Sequence, residues 1–449
     1  MGNLKKWLYP GLGIKRWVFI LCCGAFVFGM GLVLLAGPGL VWRWGAQVLK
    51  YFYQITGISA QVGGVVLLVM GSFLLFLGGY KVFHSLMGLF LPREEGKVVD
   101  LLYRRRLLQR GPHLVVMGGG TGLSVLLRGL KEYSSNITAV VNVCDDGGSS
   151  GRLRGEMGIL PPGDIRNCLL ALADTEPVME KLFQHRFATG GELSGHNFGN
   201  LFIAAMSQQM GFQAAIKEFS KVLAVRGQVL PVTLKEVTLV AELMDGRELL
   251  GQFAVSQSPV PIKRVRLDPR DCQPLPEVLE AIDGADAIIL GPGSLYTSII
   301  PNLLVPGIRE ALAAARGKKY YICNVMTQPG ETTGFSASTH LAALEEYVGP
   351  GVLEYFVVND ALDIPPWLAK RYREEGAKLV LPDVESSNKI KVIKAPLVAG
   401  QNLIRHDAHR LGSVIMEDLM KGDTPLHNTS HIALQILSHS TLSKGRERD

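Results

Sequence analysis

The sequence predicts an α/β fold: a Rossmann-like, mostly parallel sheet with a small antiparallel insert, preceded by a two-helix transmembrane hairpin. Two long stretches near the start of the chain contain no charged residue. Later, five apolar, strand-like segments each end in a glycine-rich or polar loop: HLVVMGGGTG (113–122), ITAVVNVCDDGGSSG (137–151), ADAIILGPGS (285–294), YYICNVMTQPGET (320–332) and EYFVVND (354–360). In an open parallel sheet the carboxyl ends of the strands form one rim, where ligands bind.

The uncharged stretches, at about 17–35 and 62–80, are each long enough to cross a hydrocarbon core about 30 Å thick. A cleaved signal peptide is the alternative for the first stretch. That stretch is too long for a signal-peptide core, lacks a clear cleavage site and is soon followed by a second span. Buried core helices are the alternative for both, but no amphipathic elements surround them. We therefore expect residues 1–91 to be a membrane anchor.

Basic residues flank the two spans on their outer sides and are sparse in the loop between them. The positive-inside rule then places both termini and the main domain in the cytoplasm, at the cell membrane. Aromatic residues of the loop suit an interfacial belt on the opposite side. The basic flanks contain Lys5, Lys6, Lys15 and Arg16, then Lys81, Arg93, Lys97, Arg104, Arg105, Arg106 and Arg110; the loop contains Arg43 and Lys50 with Trp42, Trp44, Tyr51 and Tyr53.

The overall composition narrows the expected partners. The formal net charge of +6 is modest and concentrated near the membrane part, which favours anionic membrane lipid over nucleic acid. The six cysteines have no CxxC or His–Cys spacing, so we expect neither a disulfide framework nor zinc. Residues 92–112 form a basic connector, for which a plain linker helix and a lipid-binding segment are equally open.

Residues 113–427 are predicted to form the Rossmann-like domain, followed by a polar tail at 428–449. Helical patterns cover about 164–187 and 200–224. Between about 229 and 267 the pattern changes to two strands around an Asp245-Gly246 turn, which is a hairpin signal. Such an antiparallel insert is expected to form a side lobe.

The first candidate site is the GGGTG turn: Gly118, Gly119, Gly120, Thr121 and Gly122. It follows a strand and opens a helix, so its glycines permit a sharp turn and its helix end offers partial positive charge to a phosphate. It lacks the last glycine of the dinucleotide fingerprint and the Lys-Ser/Thr of a Walker A loop. The alternative is a tight turn without a ligand.

The second candidate is the loop NVCDDGGSSGRLR at 142–154. Asp145 and Asp146 follow the second strand, where Rossmann-like proteins place a ribose-binding acid, and Asn142 and Arg152 lie beside them. Carboxylates beside arginines indicate either a Mg²⁺ and phosphate site or a salt-bridged loop. Because GGGTG lies on the same predicted rim, we favour the ligand site.

Two further motifs supply polar groups for a substrate pocket. PPGDIRN (161–167) begins a helix, where Asp164 can be a simple N-cap while Arg166 and Asn167 in the first turn could face the cleft; we count Asp164 and Arg166 among the pocket residues. SGHNFGN (194–200) places His196, Asn197 and Asn200 among small residues, and His196 could serve as donor, acid or base.

The later strands end in a second glycine turn and in amide groups. GPGS contributes Gly291, Gly293 and Ser294 as a second phosphate cradle. NVMTQPGET contributes Asn324 and Gln328, and VVND adds amide and carboxylate groups suited to a base or sugar.

Taken in order and spacing, these motifs resemble the bacterial gluconeogenesis factor family (YvcK-type), which shares a superfamily with 2-phospho-L-lactate transferase (CofD-like). The motifs are GGGTG, NVCDDGGSSGRLR, PPGDIRN, GHNFGN, GPGSLYTSIIPNLL and CNVMTQPGET. The resemblance covers roughly residues 112–425 and leaves out the hairpin at 1–91.

The resemblance implies a Rossmann-like domain that binds a nucleotide sugar such as UDP-N-acetylglucosamine or UDP-glucose. It also implies a role in cell shape and in growth on gluconeogenic carbon sources. We thus expect a membrane-anchored regulator of carbon flow into the cell envelope, with an envelope-precursor or carbon-metabolism enzyme as partner. Whether it forms a homo-oligomer is left open, and Mg²⁺ is the candidate cofactor.

The alternative hypothesis is an enzyme, a Mg²⁺-dependent transferase of the 2-phospho-L-lactate transferase type. A metal clamp on a transferring phosphate needs little covalent chemistry from the protein, so the lack of an evident nucleophile does not exclude it. An NAD-dependent oxidoreductase is disfavoured by the broken fingerprint.

Overall fold

The computed structural model describes residues 15–36, 53–54, 57, 59–90, 105–174, 177–188, 191–399 and 403–421. The chain divides into two compact units, Met1–Arg104 and Arg105–Asp449, which are described separately. The predicted polar tail, residues 92–104 of the connector, and Trp42, Trp44 and Tyr51 of the predicted belt lie outside the described residues.

The N-terminal unit contains two apolar helices, α1 (Lys15–Ala36) and α2 (Ala60–Phe90). The helices run antiparallel and touch through glycines spaced seven residues apart in each helix. A Cβ at Gly31 would lie 2.8 Å from the Leu68 nitrogen, and one at Gly71 only 2.5 Å from the Phe28 nitrogen. Both helices are long and apolar enough to span a membrane, over Arg16–Leu35 and Gln61–Ser85.

The C-terminal unit is built on a seven-stranded parallel sheet, which confirms the predicted α/β class. Its order is β10-β9-β8-β7-β1-β2-β3, the Rossmann order 3-2-1-4-5-6 with a seventh strand added at one edge. The strands are β1 (Leu114–Gly118), β2 (Ile137–Val141), β3 (Gln228–Pro231), β7 (Ala287–Leu290), β8 (Lys318–Ile322), β9 (Tyr355–Asn359) and β10 (Lys391–Ala395).

Both faces of the sheet are covered, because side chains alternate along each strand. In β1, Leu114 and Val116 pack into one core and Val115 and Met117 into the other. The helices of the first core are α3 (Gly120–Leu130), α5 (Gly163–Leu172), α7 (Phe198–Met210), α8 (Phe212–Val222) and α15 (Ala408–Lys421). The second core is covered by α10 (Pro276–Asp283), α11 (Ile300–Leu303), α12 (Ile308–Ala314) and α13 (Ala337–Val348).

Shorter elements complete the described part of the unit. They are α4 (Gly148–Met157), α6 (Pro177–Gln184), a 3₁₀ turn (Gly191–Leu193), α9 (Gln252–Ser256), a π-helix (Leu295–Ile299), α14 (Pro366–Glu374), and a two-stranded ribbon of β11 (Val398–Ala399) and β12 (Arg405–His406).

The antiparallel insert is a three-stranded sheet in the order β5-β4-β6, with β4 (Thr238–Leu243), β5 (Glu248–Leu250) and β6 (Ile262–Asp268). Its β4–β5 hairpin turns at Met244–Gly246, around the predicted Asp245-Gly246 pair. The predicted start at about residue 229 differs from the structure. Residues Gln228–Pro231 form β3, which pairs parallel to β2 because it extends the buried sheet by one strand.

Candidate functional site

The strand order reverses between β1 and β7, which are neighbours in the sheet although 168 residues lie between Gly118 and Ala287. The chain adds β2 and β3 on one side of β1 and then returns to lay β7 on the other side. The loops that follow β1 and β7 therefore face each other across a crevice at the carboxyl edge. This is the position where open parallel sheets bind ligands.

A cavity of about 300 Å³ occupies this crevice. Residues 119–122 of the GGGTG turn form one wall, and residues 292–294 of the GPGS turn form the opposite wall. Asn324, Gln328 and Ser298 line it from the side, and Ile404 with the residues of β12 closes it from the C-terminal end. The structure thus brings the two predicted glycine turns to one cavity, with Gly118 and Gly291 directly behind them.

The two turns approach each other closely enough to require glycine. A Cβ at Gly122 would lie 2.6 Å from the Pro292 carbonyl oxygen, and Gly120 has φ +68, in the left-handed region. Backbone groups are therefore exposed to the cavity without side chains in front of them, which suits a phosphate group.

Asn324 and Gln328 fix the GPGS turn from outside. The Asn324 amide donates to the Gly293 carbonyl oxygen at 2.8 Å and accepts from the Gly293 N–H at 3.2 Å. The Gln328 amide donates to the Ser294 hydroxyl at 2.7 Å. These side chains hold the cradle in shape and also line the cavity.

Asp164 is the carboxylate that reaches the GGGTG turn. It lies in the first turn of α5 but caps nothing there; its carboxylate accepts from the Gly120 N–H, and a Cβ on Gly119 would lie 2.8 Å from its Oδ2. Burial, together with the nearby Asp145 charge, raises the pKa of Asp164 to about 6. Burial also raises the pKa of Asp145.

A carboxylate whose proton affinity is raised by a neighbouring carboxylate marks a place where a divalent cation is favourable. Among the described residues no group of three or more His, Cys, Asp or Glu side chains could hold a metal ion. Magnesium, however, is commonly bound by one or two carboxylates together with substrate phosphates and water. Asp145 and Asp164 fit that arrangement when a phosphate ligand is present.

Asp146 and Arg152 have other partners. The Asp146 carboxylate accepts from the Phe253 N–H at 2.7 Å, at the start of α9. The Arg152 guanidinium donates to the carbonyl oxygens of Glu192 and Ser194. Neither side chain lines the cavity between the glycine turns, and Asp145 and Asp164 are also outside its lining.

Asn142 is buried between the second strand and the π-helix. Its amide donates to the Thr297 carbonyl oxygen at 3.1 Å and accepts from the Cys144 N–H at 2.7 Å. It therefore ties the end of β2 to the segment that follows GPGS, directly under Gly119.

The remaining predicted pocket residues form a network beside the cavity. The Ser149 hydroxyl accepts from the Asn197 N–H and from the Asn200 amide, so its own proton points to His196 Nδ1 at 3.1 Å. His196 is then neutral with its proton on Nε2, in agreement with a pKa lowered mainly by burial. Arg166 donates to the side chains of Asn200 and Asn167.

The sequence analysis did not single out two polar residues that line the cavity, or a buried carboxylate near it. Arg405 and His406 reach it from β12, near the C-terminal end of the unit, and no local motif marks them. Glu331 is buried below the GPGS turn, where it accepts from the Thr297 hydroxyl at 2.8 Å and from the Tyr296 N–H at 3.3 Å. Burial raises the pKa of Glu331 to about 7.

Comparison with known proteins identifies the family of this chain. The family model described as "2-phospho-L-lactate transferase CofD" matches residues 114–398. The "Gluconeogenesis factor" of Bacillus subtilis is 51% identical over 314 residues, which are 69% of this chain and 98% of that protein. The chain belongs to the gluconeogenesis factor family, within the CofD-like proteins.

Other relatives of the family differ in how much of the chain they share. A Nostoc sp. relative with a gluconeogenesis-factor name is 42% identical over 426 residues, 92% of each chain, so the similarity extends into the N-terminal unit. A crystal structure of a UPF0052 family member from Bacillus halodurans is 48% identical, with a TM-score of 0.65. It covers 68% of this chain and 99% of its own, so the C-terminal unit corresponds to an entire relative.

Proposed function

We propose that this protein binds a nucleotide sugar, with a UDP-sugar as the favoured ligand, and regulates carbon flow into the cell envelope. The observation that carries the proposal is the pair of glycine turns that wall one cavity at the β1–β7 reversal. A diphosphate between the turns would accept from backbone N–H groups on both sides. Arg405, exposed at the edge of the cavity, offers a cation to the same phosphates.

We further propose that Mg²⁺ accompanies the ligand. Asp145 and Asp164 would provide its protein ligands, and the metal would neutralise their charge beside the diphosphate. We favour a regulatory role over catalysis because His196 is hydrogen-bonded to Ser149 within a buried network. His196 does not line the cavity, so it offers no general base to a ligand there.

The N-terminal hairpin is proposed to anchor the protein in the cell membrane, with both termini and the C-terminal unit in the cytoplasm. Its helices bury glycines against each other and expose large side chains such as Phe26 and Phe76, at 69% and 75% exposure. This distribution suits a lipid environment, where small residues pack helices together and apolar side chains face the acyl chains. The basic flanks set the orientation.

Calorimetric titration of the full chain in detergent tests ligand binding, using UDP-N-acetylglucosamine, UDP-glucose, GDP and ATP with and without Mg²⁺. We expect a UDP-sugar to bind at sub-millimolar concentration and Arg405→Gln to weaken it at least tenfold, because a phosphate loses a charged donor. Arg371→Gln, which removes an exposed arginine paired with Glu375 on α14, should bind as the wild type does. Failure of every UDP-sugar to bind would refute the proposal.

The second candidate is a Mg²⁺-dependent transferase, which the matching family model and the Asp145/Asp164 pair favour. Incubation of the protein with Mg²⁺, a nucleoside-diphosphate donor and acceptor alcohols would reveal product by mass spectrometry. Turnover that disappears in Asp145→Asn would rank the enzyme above the regulator.

A regulator instead requires a partner enzyme of envelope-precursor or carbon metabolism. The affinity of this protein for that partner should change when UDP-sugar binds. Loss of such a regulator should disturb cell shape during growth on gluconeogenic carbon sources.

A further inference from the structure

The cavity between the two glycine turns is called the nucleotide cavity below. A second cavity, of about 260 Å³, lies on the other side of the GGGTG turn. Three arginines line it: Arg128 from α3, Arg166 from α5, and Arg186 just after α6. Thr121 borders both cavities. We call this second space the arginine cavity.

The positive charge of the arginine cavity is only partly balanced by the protein. Arg128 pairs with Glu180 at 3.0 Å, and Glu180 also accepts from Gln184. Within the described parts of the chain, Arg166 and Arg186 have no carboxylate within ion-pair distance; their hydrogen bonds go to amide and carbonyl oxygens. Two guanidinium groups therefore face one space without a counter-charge between them.

An unpaired charge costs more free energy at Arg166 than at Arg186, because Arg166 is buried. Its side chain is 8% exposed, its stem packs against Gly199, and its Nε has no hydrogen-bond partner. A buried donor without a partner is unfavourable, and a buried cation without an anion is more so. The carboxylates of Asp164 and Asp145 act on the Arg166 charge from beyond ion-pair distance, so they balance it only in part.

We propose that the arginine cavity is a second anion site, which binds a phosphate dianion either as inorganic phosphate or as the phosphoryl group of a compact metabolite. Arginine forks match the oxygens of a phosphate in pairs, and the polar neighbours Asn167 and Gln184 supply further donors. A cavity of this size accommodates inorganic phosphate or a small phosphate ester. The site is separate from the nucleotide cavity and does not depend on the function proposed for it.

Titration of the full chain in detergent tests this site, with inorganic phosphate and glycerol 3-phosphate as probes and glycerol as the uncharged match. We expect both phosphates to saturate in the millimolar range or below and glycerol not to bind. The tighter of the two phosphates identifies the natural source of the anion. If neither inorganic phosphate nor glycerol 3-phosphate shows saturable binding, the proposal is wrong.

Variants of Arg186 distinguish anion binding in this cavity from an effect on the neighbouring 192–195 loop. Arg186→Gln should weaken phosphate binding at least tenfold, and Arg186→Lys should restore most of it, because the charge is retained. Arg152→Gln is the matched control: Arg152 and Arg186 both donate to carbonyl groups of this loop, but only Arg186 lines the cavity. Equal losses in Arg152→Gln and Arg186→Gln would show that loop anchoring, and not the anion site, is responsible.

A further variant tests whether the phosphate binds in the nucleotide cavity instead. Arg405→Gln should leave phosphate binding within twofold of the wild type, because Arg405 lines only the other cavity. Loss of phosphate binding in Arg405→Gln, with normal binding in Arg186→Gln, would place the phosphate between the glycine turns and would refute the arginine cavity as its site.

Discussion

At the residue scale, two adjacent carboxylates in the loop between β2 and α4 have different partners. The Asp145 carboxylate accepts from the Gly147 N–H and its charge acts on Asp164, whereas the Asp146 carboxylate accepts from the Phe253 N–H at the start of α9. The sequence predicted both as ligand groups, since a DD pair by itself does not reveal which carboxylate faces the ligand. The proximity of Asp145 to Asp164 depends on α5, a helix that starts 18 residues after Asp145.

Asp164→Asn should remove the Mg²⁺ dependence of UDP-sugar binding while leaving a weaker, metal-independent affinity. The wild-type dependence should fade as pH drops through about 6, because protons then compete with the metal for Asp164. Titrations at several pH values with and without Mg²⁺ check this. Asp146→Asn should keep the Mg²⁺ dependence, and its loss there would contradict the assignment.

Glu331 should make the C-terminal unit less stable as pH rises. Its pKa is raised from 4.5 to about 7 in the folded protein, so the folded state holds the proton more tightly than the unfolded state does. Stability should therefore fall between about pH 4.5 and 7, by roughly 3 kcal/mol for this group alone. The melting temperatures at pH 5 and pH 8 should differ less in Glu331→Gln than in the wild type or in Glu310→Gln, an exposed control. Equal differences in all three proteins would exclude Glu331 as the source of the pH dependence.

At the element scale, the close crossing of α3 and α15 determines where Arg405 lies. A Cβ on Gly129 of α3 would fall on the Ala408 carbonyl, and Gly412 faces Gly129 in turn. Because β12 directly precedes α15, this backbone contact also places Arg405 and His406 over the GGGTG turn.

Gly129→Ala should weaken UDP-sugar binding at least threefold and lower the melting temperature, although Gly129 lies outside the cavity. The added methyl forces α15 away from α3, and overpacking of this kind typically costs about 1–3 kcal/mol. Gly155→Ala on α4 is the matched control, since a Cβ there meets nothing within 4 Å. Calorimetry and thermal melts of both variants check this prediction. Equal affinities and melting temperatures in the two variants would show that the α3–α15 crossing does not hold Arg405 at the cavity.

The elements that the sequence predicted best are those with a strong local signal. Five apolar strands with loops at one edge were recognisable because each strand and turn has its own pattern. The strand β3 was assigned to the insert because a four-residue apolar run carries no sign of its partner. β12, with two residues, has no pattern of its own and gains its place only from the packing of α15.

At the scale of the whole molecule, the two units should be separable. Relatives that match only the C-terminal part are 98–99% covered by it, so this part has the extent of a complete protein. Its first described helix includes Leu108, which is buried in the unit, and the amide of Asn136 holds the carbonyls of Gln109 and Gly111.

A chain that starts at Arg105 should therefore be soluble, lose membrane fractionation and bind UDP-sugar as the full chain does. A chain that starts at Gly111 should be less stable, because it lacks Leu108. Fractionation, thermal melts and calorimetry of the two truncated chains check this. Loss of binding in the Arg105 chain would mean that the hairpin shapes the cavity.

The cavity is assembled from the first strand of the C-terminal unit and from one of its last, since the GGGTG turn follows β1 and Arg405 lies in β12. A ribosome synthesises these walls nearly 300 residues apart, so a nascent chain exposes the glycine turn long before the arginine that faces it exists. The proposed ligand would bind only full-length folded molecules, and its stabilisation of them would grow with the logarithm of its concentration. Chains that end prematurely gain nothing from it and remain open to proteolysis.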